Sequence, residues 1–434
     1  MRVCAARPDG SLEVIGGFRP AARSGSRVVS LEAVDLIPLP EEATLMHLPG
    51  RAPLLLGTGG EPVETEAELV AVAAVLPVGY VRTLLPASRR LPGSRRLPLY
   101  GYAAVAEHRG RMMVAAFRSD DFEWWAPARY GIAELDVAID RARSALPGNR
   151  LVDHLANCAT VNRCYTAQNT LLRRYEAALP ASPACNADCL GCLSLQSDGL
   201  APAPQPRMSF APTSDELAEV AAYHLGGEDS AIVSFGQGCE GEPLTRDGAI
   251  IAATRRIREE HPSATIHVNT NGSKPDMLQR LIDAGCNSVR ISAISFTESV
   301  FRAYYRPVGY SLDDVIACGR AMAGSGGQVC LNLLTFPGLT DNPDEIDRTI
   351  SACRTMGVHQ VQWRSLNVDH DWLGDVLTSA GNDLGGGIGI RSAYDLVRSR
   401  LPGVEHGNFT RPVFGGPRSR GMLDAFQPAD KGRP

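Results

Sequence analysis

From Ala231 to Leu366, short aliphatic runs alternate with stretches of helical period, and this alternation constrains the fold of the 434-residue chain more than anything else in it. AIVSF at Ala231, TIHVN at Thr265, SVRISA at Ser288, VCLNLLTF at Val329 and QVQWRSL at Gln360 read as strands. Helical patterns fill the gaps at 246–261, 277–284, near Phe301, at 312–323 and at 343–356. Strands separated by helices of this length imply βαβ units and a parallel sheet. Right-handed crossovers curl such a sheet into a full or partial barrel, with its site at the C-terminal ends of the strands.

The flanking segments are less regular. Residues 1–150 read as short strands broken by Gly and Pro, with a hairpin of 102–105 and 112–117 around Arg109-Gly110 and a closing helix over 132–145. This predicts an N-terminal α+β accessory domain, followed by a helical connector over 151–180, with a helix expected from Leu151 to Glu176. The core spans 181–375. Beyond Gly381, a glycine-rich stretch, a short helix over 393–400 and a Pro/Gly/Arg-rich tail make 376–434 a peripheral, partly disordered extension. The SRRLP repeat at Ser88 and Ser94 places four arginines in one Pro-rich loop, read as solvated.

Composition narrows the function classes. The 43 basic and 48 acidic side chains leave a net charge of −5, which gives no pull toward nucleic acid or an anionic membrane. RNA modification needs a basic stripe that the sequence lacks. Apolar runs such as 69–77 are too short to span a bilayer, and the first ten residues lack a secretory core, so a cytoplasmic location is expected. In a reducing compartment, 11 cysteines argue for metal, cluster or redox chemistry over disulfides.

Three of those cysteines stand together in CNADCLGC, where Cys185, Cys189 and Cys192 have CxxxCxxC spacing. Thiolates in an irregular loop suit an Fe–S cluster or zinc. A closed zinc site needs a fourth ligand, and none lies within thirty residues downstream. The alternative, a non-catalytic zinc- or Fe–S-binding interaction module, requires that fourth ligand from elsewhere, with Cys158 or Cys164 as candidates.

The chain here resembles the radical S-adenosylmethionine (SAM) superfamily, over roughly residues 181–375. The resemblance implies a partial (β/α)6 TIM-like barrel in which Cys185, Cys189 and Cys192 hold a [4Fe-4S] cluster and SAM binds the fourth iron. It implies reductive cleavage of SAM to a 5′-deoxyadenosyl radical that abstracts hydrogen from a substrate, with an external electron donor of flavodoxin or ferredoxin type. An aromatic residue usually precedes the third cysteine, whereas this chain has Gly191. FGQGCEGEPL then resembles the superfamily's GGEP motif, with Gly241, Glu242 and Pro243 toward the SAM amino group. A glycine lets the backbone approach the ligand and a carboxylate pairs with an ammonium. GTGGEP at 57–62 matches that string better, but it precedes the cysteines and reads as a turn. NTNG, with Asn269 and Asn271, resembles the motif that contacts ribose and the methionine carboxylate.

Polar residues on strands that should read as apolar mark further cofactor contacts: Ser292, Asn332, Gln362 and Arg364. Arg364 suits either the SAM carboxylate or an anionic substrate. Period-two alternation puts Arg290 with Ser292 on the interior face. YYRPVGY follows the fourth strand and can overhang the barrel mouth, so Tyr304, Tyr305 and Arg306 are the candidates for substrate contact, against a packed loop, and Trp124-Trp125 are expected to sit in a core corner. Cys158 and Cys164 read first as inert buried thiols and second as ligands of an auxiliary cluster, and Cys239, in the SAM-binding loop itself, is a stronger candidate for a site role than either. Cys286, Cys318, Cys330 and Cys353 read as core. The nine histidines show no HxxxH or HxH spacing, which speaks against a separate zinc site.

Overall fold

The computed structural model describes residues 1–64, 68–120, 134–227 and 229–413; Trp124 and Trp125 lie outside them. Three helices, α1 (Leu135–Ala145), α2 (Arg150–Thr160) and α3 (Tyr165–Leu171), precede a seven-stranded sheet. Its strands are β1 (Arg174–Leu179), β2 (Asp229–Phe235), β3 (Thr265–Thr270), β4 (Ser288–Ala293), β5 (Gln328–Thr335), β6 (Gln360–Ser365) and β7 (Glu405–Gly407). All are parallel and lie side by side in chain order, as successive right-handed crossovers require. The sheet curls into a half-barrel.

The crossovers are α4 (Ser214–Leu225), α5 (Asp247–Glu260), α6 (Pro275–Asp283), the pair α7 (Glu298–Tyr305) and α8 (Leu312–Gly324), α9 (Pro343–Met356), and the pair α10 (His370–Ser379) and α11 (Ile390–Arg400). Val289 and Ile291 of β4 are fully buried in the same core as Ile250 and Ile257 of α5 and Val315 and Met322 of α8. Each such side chain contributes about 1.5–3 kcal/mol. The α9 boundaries follow local chemistry: Pro343 opens the helix behind the Asn342 cap, and Gly357 closes it at φ 65°.

Two boundaries differ from the sequence expectation. The helical pattern does not run to Glu176: α3 stops at Leu171, and Arg174–Leu179 is the first strand of the sheet, inside the segment expected to be a helical connector. The segment beyond Gly381 is not peripheral either, because Glu405–Gly407 pairs with β6 and closes the series.

Residues 3–118 form small antiparallel sheets, and the hairpin of Val105–His108 with Arg111–Arg118 turns at Arg109 (φ 53°) and Gly110 (φ 79°). Two successive left-handed residues make the type I′ turn that matches strand twist. The GTGGEP string is the turn between Arg51–Leu56 and Pro62–Glu64. Helical residues of the N-terminal part come from a 3-10 turn at Ala33–Asp35 and from α1.

This part is bolted to the barrel. Arg51, 1% exposed, donates to Asp369 at 2.8 Å and to Asp371 at 2.7 Å, and Arg23 reaches Asp371 at 2.7 Å. Arg82 donates from its amide to Ser365 Oγ and from its guanidinium to the Thr335 carbonyl. The SRRLP arginines are not a free patch: Arg90 pairs with Asp375, while Arg96 pairs with Asp198 and lies over the Trp372 ring. No helix among the described residues is long and apolar enough to cross a membrane.

Candidate functional site

The loop after β1 carries Cys185, Cys189 and Cys192, each half-buried and free of disulfide. It is gripped from two sides. Toward α7, the Asp188 and Leu190 amides donate to the Tyr305 and Tyr304 carbonyls, and Val308 N donates to Asn186 O. Toward β2, the Gly241 amide donates to Ser182 O at 2.6 Å and the Glu242 amide to Ala184 O at 2.8 Å. A Cβ at Gly241 would lie 1.9 Å from the Ala184 carbonyl oxygen, so only glycine permits this approach. The Gly-Glu-Pro turn is therefore laid directly against the approach to Cys185.

The two neighbouring glutamates divide the work. Glu240 accepts from four backbone amides: Gly236 and Gln237 on one oxygen, Ala181 and Ser182 on the other. It ties the ends of β1 and β2 together. Glu242 accepts from Thr270 Oγ1 at 2.6 Å, Leu244 N at 3.0 Å and Asn271 N at 2.8 Å, joining the Gly-Glu-Pro turn to NTNG. Burial lifts both carboxyls to about 7 against these hydrogen bonds. Asn271 in turn donates to Asn186 Oδ1 at 3.0 Å, inside the cysteine loop. Cys185, Gly241, Glu242, Pro243 and Asn271 thus form one interlocked constellation at the C-terminal ends of β1–β3.

The other expected contacts fall in two further places. Ser292, Asn332 and Gln362 stand in register across β4, β5 and β6. Asn332 donates to Ser292 Oγ at 3.0 Å, while its own Oδ1 is buried without a partner. Such an orphan acceptor suits a ligand. Gln362, fully buried, accepts from Arg290 and Arg364 and donates to Gln360, and Asn269 bridges His267 and the Phe235 carbonyl. These two side chains are engaged inside the sheet. Arg364 instead lines a cavity of about 410 Å³, with Arg290, Glu176, Gln205, Asn367 and Cys164. Burial holds its pKa down at about 9, and its Nε is buried without a partner.

Glu176 was not legible as a site residue. A register shift between Tyr175 and Glu176, with Tyr175 at φ 53°, accompanies its place on the cavity wall. Burial raises its pKa, but Arg290, His267, Ser234 and Arg364 more than reverse this and keep it below the ordinary carboxylate value. A lone acid amid the aliphatic residues of RYEAAL is the signal that could have found it. Arg207, also missed, places its guanidinium 3.6 Å from Cys192 Sγ. Tyr304 and Tyr305 do not overhang the mouth: both are buried, Tyr305 Oη donates to Ser292 O, and their carbonyls hold the cysteine loop. Arg306 pairs with Asp188.

The departure at Gly191 also has a structural reason. A Cβ there would lie 2.6 Å from Tyr304 Oη and 2.9 Å from the Asn367 carbonyl, so the place of the usual aromatic is already filled from α7.

The donor set fits a cluster better than a single ion. Ligand sulfurs around one tetrahedral zinc lie about 3.8 Å apart, given bonds near 2.3 Å. Among the described residues, the group of three His, Cys, Asp or Glu ligand atoms within 4.8 Å of one another is His154, Cys158 and Cys239, and the loop thiols form no such group. Of the two fourth ligands that the interaction-module alternative offers, Cys158 lies beside His154 and Cys239, and Cys164 lines the cavity with Arg364.

Residues 179–350 match the model of the Radical SAM superfamily, and this segment is a radical SAM domain. Members of that superfamily are enzymes that bind a [4Fe-4S] cluster and SAM. Among solved structures, methylornithine synthase is 14% identical with a TM-score of 0.38, over 62% of this chain and 77% of that one. A radical SAM methyltransferase from Sphaerobacter thermophilus is 16% identical with a TM-score of 0.33, over 48% of this chain and 64% of its own. HydG, a maturase of the [FeFe]-hydrogenase, is 12% identical with a TM-score of 0.35, over 65% and 66%. Comparison with curated protein sequences finds no match.

Proposed function

We propose that this chain is a radical SAM enzyme that reductively cleaves SAM and takes a hydrogen atom from a substrate held in the cavity beside Arg290, Arg364 and Glu176. The observation that carries the reading is the laying of the Gly241 and Glu242 backbone against residues 182–184, which sets Glu242, the residue we assign to the SAM ammonium, beside the cysteine loop. Cys185, Cys189 and Cys192 would hold a [4Fe-4S] cluster, which would supply one-electron reduction of the SAM sulfonium. Arg207, 3.6 Å from Cys192 Sγ, would favour through its positive charge the more negative, reduced state of a centre held there. In this reading Glu242 and Asn271, joined by a hydrogen bond, would bind the amino and carboxylate end of SAM, and the unpartnered Asn332 Oδ1 supports a further contact. The cavity wall carries more guanidinium than carboxylate charge, with Arg163, Arg174, Arg290 and Arg364 against Glu176, so the substrate carries an anionic group. The electron comes from an external donor of flavodoxin or ferredoxin type, in the cytoplasm.

Anaerobic reconstitution with iron and sulfide tests this. The expected result is a brown protein that turns SAM into methionine and 5′-deoxyadenosine under dithionite, with Cys185→Ala losing both iron and turnover while keeping its far-UV dichroism. A colourless protein that binds zinc alone and leaves SAM intact overturns the proposal.

A further inference from the structure

His154, Cys158 and Cys239 meet where α2 packs against the loop after β2. His154 and Cys158 are four residues apart on one helix face, so both side chains point the same way. This mixed HxxxC pair supplies the helical ligand spacing that no two histidines of the chain have. Cys239 comes from the other side, in the loop that also carries Glu240 and Glu242, and its carbonyl is fixed by the Met208 amide. His154 Nε2 lies 3.2 Å from Cys239 Sγ and 3.6 Å from Cys158 Sγ. Nitrogen and sulfur ligands of one tetrahedral zinc sit about 3.5 Å apart, given bonds near 2.0 and 2.3 Å. Both cysteines are buried and His154 is half-buried, with the Phe210 ring edge-on to the imidazole.

We infer that His154, Cys158 and Cys239 form a second metal site, separate from the cysteine loop, that takes a zinc-class divalent ion. One imidazole and two thiols are the donor set that zinc prefers, and carboxylate-seeking ions such as Mg²⁺ or Ca²⁺ do not. The described residues add no fourth His, Cys, Asp or Glu atom to the group, so water or a small exogenous ligand fills the fourth place. The geometry favours an ion over an inert buried pair: His154 Nε2 lies within 3.6 Å of both sulfurs, and Asn162 directs its amide at Cys158 Sγ at 4.0 Å. An ion here clips α2 to the loop bearing Glu240 and Glu242, and so stiffens the Gly-Glu-Pro turn from behind.

The test uses the full chain with Cys185, Cys189 and Cys192 replaced by serine, handled without oxygen and titrated with Co²⁺ and then Zn²⁺. The expected result is one tetrahedral Co²⁺ per chain with thiolate-to-cobalt absorption, displaced by one equivalent of Zn²⁺. Cys239→Ser should remove about half of that absorption, and Cys158→Ser with Cys239→Ser should abolish binding. His154→Gln should keep the thiolate band and weaken the affinity at least tenfold. If the serine chain does not fold, metal analysis of the iron-loaded wild-type protein should find one zinc per chain beside its iron, absent from the Cys158→Ser/Cys239→Ser variant. Failure to bind stoichiometrically, binding that survives loss of both cysteines, or a Cys158–Cys239 disulfide in anaerobically isolated protein would each overturn the inference.

Discussion

Gly191 illustrates how a single residue can depart from a motif without loss of the site. Tyr304 from α7 already occupies the space beside it, so the two positions form a pair. Restoring an aromatic with Gly191→Tyr should overpack the loop and destabilise the protein by about 1–3 kcal/mol, read from the denaturant midpoint, and lower its iron content. Adding Tyr304→Gly should recover part of both, and an additive double variant would show that the positions are independent. That the cysteine triplet, Gly241-Glu242-Pro243 and Asn271 converge was legible at this scale, because chemistry restricts which residues can serve together. The partners of Asn269 and Gln362 were not: a polar side chain on a buried strand can be satisfied by its neighbours, and sequence alone does not say which neighbours those are.

Elements were legible wherever helical period and strand runs were long. The expected bounds of α9 match the observed ones, and β3 to β6 lie where aliphatic runs put them. β1 was not legible, because six residues of RYEAAL continue the apolar spacing of the preceding helices and only tertiary pairing with β2 decides the matter. β7, three residues long, has no period to read. Helix α10 begins with the buried His370, neither of whose ring nitrogens has a hydrogen-bond partner. Burial lowers its pKa from 6.5 to about 4 despite the nearby Asp371. A base with a depressed folded pKa contributes stability that is present above the unfolded value and lost as protons bind the unfolded chain. Stability should therefore decline from pH about 6.5 toward about 4, by up to about 3 kcal/mol from this residue. His370→Phe should flatten that portion of a pH–stability profile. An unchanged slope would mean that the imidazole is already charged in the folded state.

At the scale of the whole molecule, the clasp of Arg51 with Asp369 and Asp371 joins the N-terminal sheets to the start of α10. Its three groups are nearly or wholly out of water, so Arg51→Ala leaves the buried Asp369 without its cationic partner, while Asp371 keeps Arg23, and should cost about 3–5 kcal/mol. Calorimetry should show one unfolding transition for the native chain and two for Arg51→Ala. A single transition in both would show that other contacts carry the coupling. None of this joining was legible in the sequence, since the partners lie some 320 positions apart and no periodicity links them. The same packing brings Val78 of the N-terminal part to the cavity wall, so that part helps to shape the space in which a substrate lies.

The four amides gathered by Glu240 bear on how the cofactor is received. A loop that must organise itself around its ligand surrenders chain entropy at the moment of capture, and affinity falls accordingly. Here residues 181–182 and 236–237 are immobilised when the protein folds, so that loss has already occurred before any encounter. Association with SAM should resemble entry into a rigid receptor, with a small heat-capacity signature and little ordering of the backbone.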